Sequence, residues 1–351
     1  MDKVSSETYL IAEIGQNHNG SVELAKALID LAHQPVEDEL FNRKLAPWNA
    51  VKFTKRDLEH ELSTSAMLKP YDNPHSYGKT YGEHRAKLEL SDEEHYELFL
   101  YAKGKGLDFV ETLCAVGCLT LLKYFIPDKL KVASRDLTNL PLLSAMAETK
   151  IPIIVSTGMG GIPEIDSAVQ TISKYHSDIT ILHCLSEYPS DYQHINLRSL
   201  NYLKDRYKGY NIGYSDHSIG IAMPLAAVAM GARMIEKHVT LDRSMKGTDH
   251  AGSLAPDGMR RMVRDIRNLE LAFGVPKKEI SEAVLNAKNK LERSIATKRD
   301  LKMGEVINEN DLQLLSPGDG IQWSQRNSII GKRLKNDIAK NEIIYPQMLA
   351  E

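Results

Sequence analysis

Phe109-Val110-Glu111-Thr112-Leu113-Cys114, Leu130-Lys131-Val132-Ala133-Ser134, Ile151-Pro152-Ile153-Ile154-Val155-Ser156-Thr157-Gly158-Met159 and Ile179-Thr180-Ile181-Leu182-His183-Cys184-Leu185-Ser186 are four short apolar runs spread through residues 109–186. Runs this short with few interior charges read as strands buried on both faces, the habit of parallel sheets covered by helices. The intervals fit helices to about Phe125, from about Leu140 to Thr149 and from about Ile162 to Tyr175. The stretch therefore alternates strand and helix, which argues for a parallel α/β fold.

The same alternation extends both ways. Upstream, Tyr9–Gly15 is a buried-type strand carrying Glu13, Gln16–Gly20 is a polar loop, and Ser21 caps an amphipathic helix through about Ala32. Ala50–Lys55 is a second strand, with Lys52 inside an apolar run. A long loop rich in Tyr, His, Gly and Pro follows to about Ser91; loops that long in a compact domain are usually lids or substrate loops, or else disordered. Ser91 and Glu94 form a capping box for a helix to about Gly104. Downstream, a helix is expected near Leu197–Lys204, and Gly213–His217 and Met234–Thr240 complete eight strands. Eight units favour a closed (β/α)8 TIM barrel over an open doubly wound sheet, and no G-x-G-x-x-G follows the first strand. The barrel is expected over residues 1–275, a charged linker over 276–292 with a helix at Lys277–Asn289, and a small β-rich module over 293–351. Gly304-Glu305, Gly318-Asp319-Gly320 and Lys340-Asn341-Glu342 mark closely spaced turns in that module.

The totals narrow the function. With 351 residues, 42% hydrophobic and 26% charged, the chain has ordinary globular composition. A net charge of −3 gives no electrostatic case for nucleic acid or an anionic membrane as partner. No apolar run is long enough to span a bilayer, and the N-terminus enters a strand without a signal-peptide core. Cys114, Cys118 and Cys184 make neither a zinc-type spacing nor an even disulfide set, so a cytoplasmic location is expected.

Chemistry gathers at the C-terminal ends of the strands, where Glu13, Lys52, Thr112, Lys131, Ser134, Ser156, Ser186, His217 and His238 would ring one mouth. One lysine in such a run is usually a salt-bridge partner; so many polar groups on one rim read as an active site. In Met234–Ser253, Glu236 and His238 share a face at period two. His217 and His238 either serve as satisfied polar residues at strand ends or share one divalent metal, since neutral imidazole suits Mn, Fe or Zn. Lysines and hydroxyls suit a phosphorylated carboxylate. With a metal to polarise a carbonyl and a carboxylate to take a proton, the set fits adding a phosphorylated carbon nucleophile to an aldehyde, and equally an aldolase or isomerase.

Several motifs, taken in chain order, resemble those of sialic acid synthases. They are E-I-G-x-N-H-x-G (Glu13–Gly20), V-K-F (Val51–Phe53), K-V-A-S (Lys131–Ser134), S-T-G-M (Ser156–Met159), H-C-x-S-x-Y-P (His183–Pro189), Y-S-D-H (Tyr214–His217), E-K-H (Glu236–His238) and G-x-D-H-x-x-S-L (Gly247–Leu254). The C-terminal module resembles the antifreeze-like, or SAF, domain of the same enzymes. The resemblance implies condensation of phosphoenolpyruvate with an N-acylated hexose such as N-acetylmannosamine, giving a nine-carbon 2-keto acid and phosphate. It implies that Lys52, Thr112, Lys131, Ser134, Ser156 and Ser186 hold phosphoenolpyruvate. His217 and His238 would ligate a divalent metal, Mn2+ with Mg2+ or Co2+ as alternatives. That ion would orient the open-chain aldehyde, and its bound water is the candidate attacker at C2. Glu13 would manage protons, and Tyr188, Glu236 and Asp249 would contact sugar hydroxyls. A homodimer in which each SAF module reaches over the partner's barrel is also implied.

Three positions depart from the family pattern: Thr54 stands where Gln is usual, Arg135-Asp136 replaces Gly-Glu, and Ser316-Pro317-Gly318 lacks the arginine that reaches the N-acyl group. Arg135 either binds a phosphate, on phosphoenolpyruvate or on a sugar 6-phosphate, or pairs with Asp136 or another acid. Trp323 and Arg326 are candidate substitutes for the missing arginine. The acceptor is therefore open to a pseudaminic or legionaminic acid precursor, mannose or a sugar 6-phosphate. A non-catalytic sugar-binding protein is the reading from another class. Of the rest, His183 is expected to orient the sixth strand from inside the barrel, and the cysteines to be buried small hydrophobes. Glu111 fits either side of its strand, and Lys69, His75 and Lys79 fit a solvated loop face.

Overall fold

The computed structural model describes residues 7–350. Strand β1 (Tyr9–Gly15) leads to α1 (Val22–His33), where the Ser21 hydroxyl accepts from the Leu24 amide. A hairpin of β2 (Val36–Asp38) and β3 (Arg43–Leu45) precedes β4 (Ala50–Lys55). After α2 (Thr64–Met67), α3 (Tyr81–Leu88) and α4 (Asp92–Gly104) come β5 (Asp108–Leu113), β6 (Lys129–Val132), α5 (Leu140–Glu148), β7 (Ile153–Ser156) and α6 (Ile162–Ser173). Then follow β8 (Ile179–Cys184), α7 (Tyr192–Ile195), α8 (Ser199–Arg206), β9 (Asn211–Asp216), α9 (Ala222–Ala229), β10 (Met234–His238) and α10 (Pro256–Ala272). Eight parallel strands close in the order β1-β10-β9-β8-β7-β6-β5-β4, with β4 returning to β1. This is the (β/α)8 barrel that the eight apolar runs predict.

Strand parity sorts the side chains. Ile11, Ala50, Val110, Ile154, Leu182 and Met234 pack together as an apolar layer inside the barrel. Two residues further along their strands stand Glu13, Lys52, Thr112, Ser156, Cys184 and Glu236, so the next layer toward the mouth is polar. The odd-parity residues, such as Leu10, Phe53, Phe109, Leu130, Val155, Ile181 and Ile235, join the larger core with the surrounding helices.

Two segments differ from expectation. The region after β5 is a 3-10 helix, Val116–Lys123, instead of an α-helix, consistent with Gly117 and Thr120 and no capping side chain on Ala115. The expected loop before Ser91 contains α3, opened by a capping box in which Thr80 Oγ1 accepts from the Glu83 amide. Tyr71, Tyr77 and Tyr81 cluster around His84 there, with ring centroids 4.7, 5.9 and 6.2 Å from it.

The chain divides after Gly274, and the second unit starts at Val275. Its expected long connecting helix is reduced to α11 (Leu285–Leu291) with a short turn before it; Ile280, Val284 and Leu291 fall at helical spacing but are exposed, so no packing extends the helix back to Lys277. The unit has one regular antiparallel pair, β11 (Ser294–Thr297) with β12 (Leu312–Leu315), and isolated bridges such as Leu301–Ile338 and Val306–Arg333. Ile295, Leu301, Ile307, Leu312, Ile329, Leu334 and Ile344 form a core of its own.

Candidate active site

Inward parity places charge in the mouth. Glu13, Lys52, Thr112, Lys131, Ser156 and Glu236 line one cavity of 340 Å3, together with Ser134, Ser186, Tyr188, His217, His238 and Asp249. All twelve residues singled out from sequence thus meet in one place, Thr54 and Arg135 among the other lining groups.

Buried charges alternate across it. Lys52 contacts Glu13, lies 3.8 Å from Glu236 and donates to Thr112 Oγ1 at 3.0 Å. Lys131 lies 3.5 Å from Glu236, whose Oε1 also accepts from Ser215 at 3.1 Å. Two lysines therefore face two carboxylates, but the carboxylates are not equivalent. Burial, partly offset by Lys52 and reinforced by Glu236, pushes the Glu13 carboxyl up to about 7. Burial opposes ionisation of Glu236 as well, yet Lys131, Lys52 and the two histidines hold it down at about 2. Neighbouring carboxyls driven apart in this way can take different roles, one holding a proton near neutrality and one a fixed charge. Burial lowers the Lys131 ammonium, whereas Glu13 and Glu236 outweigh burial at Lys52 and raise it.

The opposite wall is made of hydroxyls. Ser134 Oγ accepts from the Gly158 amide at 3.0 Å. A Cβ at Gly158 would come within 2.5 Å of Ser186 Oγ and 2.9 Å of both Ser134 Oγ and Cys184 Sγ, so glycine keeps this wall open. Ser156 Oγ is buried without a protein partner, free to donate to a ligand. At Gly15, φ is +53° and a Cβ would lie 2.5 Å from Glu13 Oε1, so glycine there lets the strand turn beside the carboxyl.

Next to the charges sit two imidazoles, with ring centroids 5.5 Å apart. His217, one residue past β9, donates from Nδ1 to the Leu185 carbonyl at 2.7 Å, leaving Nε2 as a lone-pair donor. Burial pushes His238 down to about 4 and its Nδ1 is buried without a partner. No three His, Cys, Asp or Glu side chains among the described residues cluster as a complete metal cage. At His217, burial is outweighed by Cys184 and the Leu185 carbonyl, which raise the ring above its ordinary value; in their neutral forms the two rings would fit a cation whose remaining positions go to water or substrate. Tyr188 packs against His217 with centroids 4.0 Å apart and the rings tilted by 36°.

The outward parity of the same strands carries groups that sequence reading missed or misplaced. Lys237, flanked by Glu236 and His238, points away from the mouth and pairs with Asp216 at 2.5 Å; both side chains are fully buried. Tyr214 and Ser218 complete the Asp216 shell at 2.9, 3.0 and 3.1 Å. Glu111 lies on the outer side too, 3.0 Å from His95. His183 does not point into the barrel: Leu182 occupies the interior layer, so His183 faces outward and bonds the Ile195 carbonyl at 2.7 Å.

The loop after β10 is fastened to the loop after β1. Asn17 donates to the Val239 carbonyl at 2.8 Å and to Ser253 Oγ at 2.9 Å, while the buried His250 bonds Thr240 at 2.7 Å and Asn19 at 3.2 Å. Asp249 is thereby held over the mouth. From the other side, Tyr77 donates to the Lys246 carbonyl at 2.5 Å, and the Gly247 amide donates to His75, so His75 is a loop tether. Arg56, Tyr81 and Arg85 from residues 56–90 also line the cavity. Arg56 comes from an irregular stretch, whereas Tyr81 and Arg85 are one turn apart on α3, whose Thr80–Glu83 capping box was a sequence signal for that helix.

The NeuB family matches residues 44–278, and the SAF domain matches residues 292–350. The chain is 37% identical over 343 residues to the N,N'-diacetyllegionaminic acid synthase of Legionella pneumophila, covering 95% of this chain and 92% of that one. It is 31% identical over 343 residues to the N-acetylneuraminate-9-phosphate synthase of Homo sapiens, covering 97% and 92%. Among solved structures it is similar to the N-acetylneuraminic acid (sialic acid) synthetase of Leptospira borgpetersenii in complex with citrate, at a TM-score of 0.66 and 31% identity, covering 80% of this chain and 90% of that one. The barrel, its charged mouth and the second unit all fall within these matches: the chain belongs to the NeuB family and is an enzyme of the sialic, or nonulosonic, acid synthase type with a SAF domain.

Proposed function

We propose that the enzyme condenses phosphoenolpyruvate with an N-acylmannosamine-type hexose to give a nine-carbon 2-keto acid and phosphate. The observation that carries this reading is the Lys52–Glu13 and Lys131–Glu236 lattice, with one carboxyl near 7 and the other near 2. Lys52 and Lys131 supply charge for the carboxylate and phosphate of phosphoenolpyruvate, and Thr112, Ser134, Ser156 and Ser186 supply directed hydrogen bonds. As C3 bonds to the aldehyde carbon, Glu13 delivers its proton to the aldehyde oxygen. Water adds at C2, Glu13 takes the proton it sheds, and the C–O bond to phosphate breaks. Tyr188, Glu236 and Asp249 orient the sugar hydroxyls. A divalent cation held by His217 and His238, Mn2+ in the first instance, would polarise the acceptor carbonyl.

The acceptor's identity is a narrower matter. Ser316 spends its hydroxyl on the Leu291 carbonyl at 3.0 Å and offers no cation for an N-acyl oxygen. This favours a panel that includes legionaminic and pseudaminic precursors, mannose and phosphorylated sugars. We further infer a homodimer, which light scattering of the purified protein tests. For the reaction, the enzyme with phosphoenolpyruvate, Mn2+ and each acceptor should release phosphate only when a sugar is present, and chelation should abolish the release. Sugar-independent release, or none with any acceptor, sinks the condensation; release that survives chelation sinks the metal.

A further inference from the structure

Residues 69–81 cross the rim of the mouth as a strap between α2 and α3. The Tyr81 amide donates to the Lys69 carbonyl at 2.9 Å and the Tyr71 amide to the Lys79 carbonyl at 3.0 Å, which draws the two arms together. The root is pinned to α3: Glu83 accepts from the Lys79 amide at 2.6 Å, His84 accepts from the Tyr77 amide at 3.2 Å, and Tyr71 packs against His84. The tip is held by less. Tyr77 Oη donates to the Lys246 carbonyl and its ring lies 4.9 Å from the Lys246 ammonium, while the Gly247 amide donates to His75 at 3.3 Å. Among the described residues, these two hydrogen bonds and one cation–π contact are the only such ties between the strap and the loop after β10.

The two sides of this clasp are unequal. The loop after β10 is braced from within: Arg243 donates to the Ala251 carbonyl at 2.9 and 2.5 Å, Ser253 Oγ donates to the Asp249 carbonyl at 2.6 Å, and His250 bonds Thr240 and Asn19. Apart from the His75 tie, residues 72–76 bond only within their own turn, the His75 and Ser76 amides donating to Asn73 at 2.8 and 3.0 Å. The strap is therefore the side free to swing. Beside it lie two chambers with a common wall of Tyr188, His217, His238 and Asp249. The strap gives Tyr71 and Tyr81 to the 340 Å3 mouth, and Asn73 and His75 to an outer chamber of 530 Å3. Tyr77 lines neither, so any effect of its hydroxyl on the site passes through the clasp.

We propose that this strap is a lid latched by Tyr77, which lifts from Lys246 and Gly247 to pass the acceptor sugar and clasps again over it. Tyr77 is then a positioning residue, and closure strengthens the binding of the sugar but not that of phosphoenolpyruvate. The acceptor's part in this rests on the condensation reading above, and the test separates the two. Tyr77→Phe keeps the ring and removes the latch hydroxyl; losing one such hydrogen bond shifts an equilibrium about three- to tenfold. Without substrates, hydrogen–deuterium exchange read by mass spectrometry reports opening at the Gly247 amide, whose hydrogen bond is to His75. The variant should speed exchange there about three- to tenfold, with exchange in residues 275–351 and the melting temperature unchanged. Equal exchange at Gly247 overturns the latch. With phosphoenolpyruvate, Mn2+ and an acceptor that drives phosphate release, the variant should raise the acceptor KM about three- to tenfold and leave the KM for phosphoenolpyruvate as it was. An unchanged acceptor KM, or a rise confined to phosphoenolpyruvate, overturns the lid and leaves condensation standing. If no sugar drives phosphate release, condensation fails, and the exchange measurement alone decides the latch: faster exchange at Gly247 supports it, equal exchange overturns it.

Discussion

Lys237 shows how one residue can matter to a site it never enters. It lies between Glu236 and His238, and Asp216 lies between Ser215 and His217, so their ion pair locks two strand ends from behind. Lys237→Met leaves the Asp216 charge buried and unmatched, which should cost about 3–5 kcal/mol of stability in denaturant unfolding. Adding Asp216→Asn should restore part of it. A single-variant loss below about 1 kcal/mol would show the pair to be no stronger than an exposed one. The sequence reading found Glu236 and His238 because strand period sets them on one face. The same period puts Lys237 on the other face, yet a lysine in an apolar run gives no sign of which carboxylate it meets. Ser215 was open to the same logic, two residues before His217.

At the scale of elements, the eight strands and their order of chemistry are legible because short apolar runs ending in polar residues have few other uses. What covers them is not. Arg56 and Glu61 belong to an irregular stretch placed by tertiary contacts, which leave no periodic trace, and Arg85 to α3, whose only sequence signal is the Thr80–Glu83 capping box. His183 was misplaced by parity of one, its neighbour Leu182 taking the interior position. At the turn after β7, Gly158→Ala should force Ser134 and Ser186 apart and raise the KM for phosphoenolpyruvate about tenfold, at an overpacking cost of about 1–3 kcal/mol. Steady-state kinetics decide it; an unchanged KM would remove the hydroxyl wall from that role.

For the whole molecule, pH provides a test. His18, in the loop after β1, is pushed down to about 3 by burial, with the nearby His95 adding to it, from an ordinary 6.5. The unfolded chain binds a proton between these values that the folded chain refuses. Stability should therefore fall as pH drops from about 6.5 toward 3, by at most about 1.4 kcal/mol per pH unit from this group. His18→Gln should flatten that slope in urea unfolding at pH 7, 5.5 and 4.5; parallel slopes for the two proteins would remove His18 as the cause.

Glu13 and His238 are register partners across the β1–β10 pairing, the last join that turns a curled sheet into a ring. In the chain they belong to the first and the last barrel strands, so no local segment can bring them together. Their meeting carries the loop-closure entropy of the whole barrel, and it comes late on any route that forms near-neighbour strand pairs first. The carboxyl proposed to handle protons and the second imidazole are thus brought together only in molecules whose ring is shut. A half-formed barrel, however rich in helix and strand, leaves Glu13 and His238 apart and so, on the proposed reading, lacks the means to act on a bound substrate. Competence for chemistry is in this sense a certificate of completed folding, written into the seam.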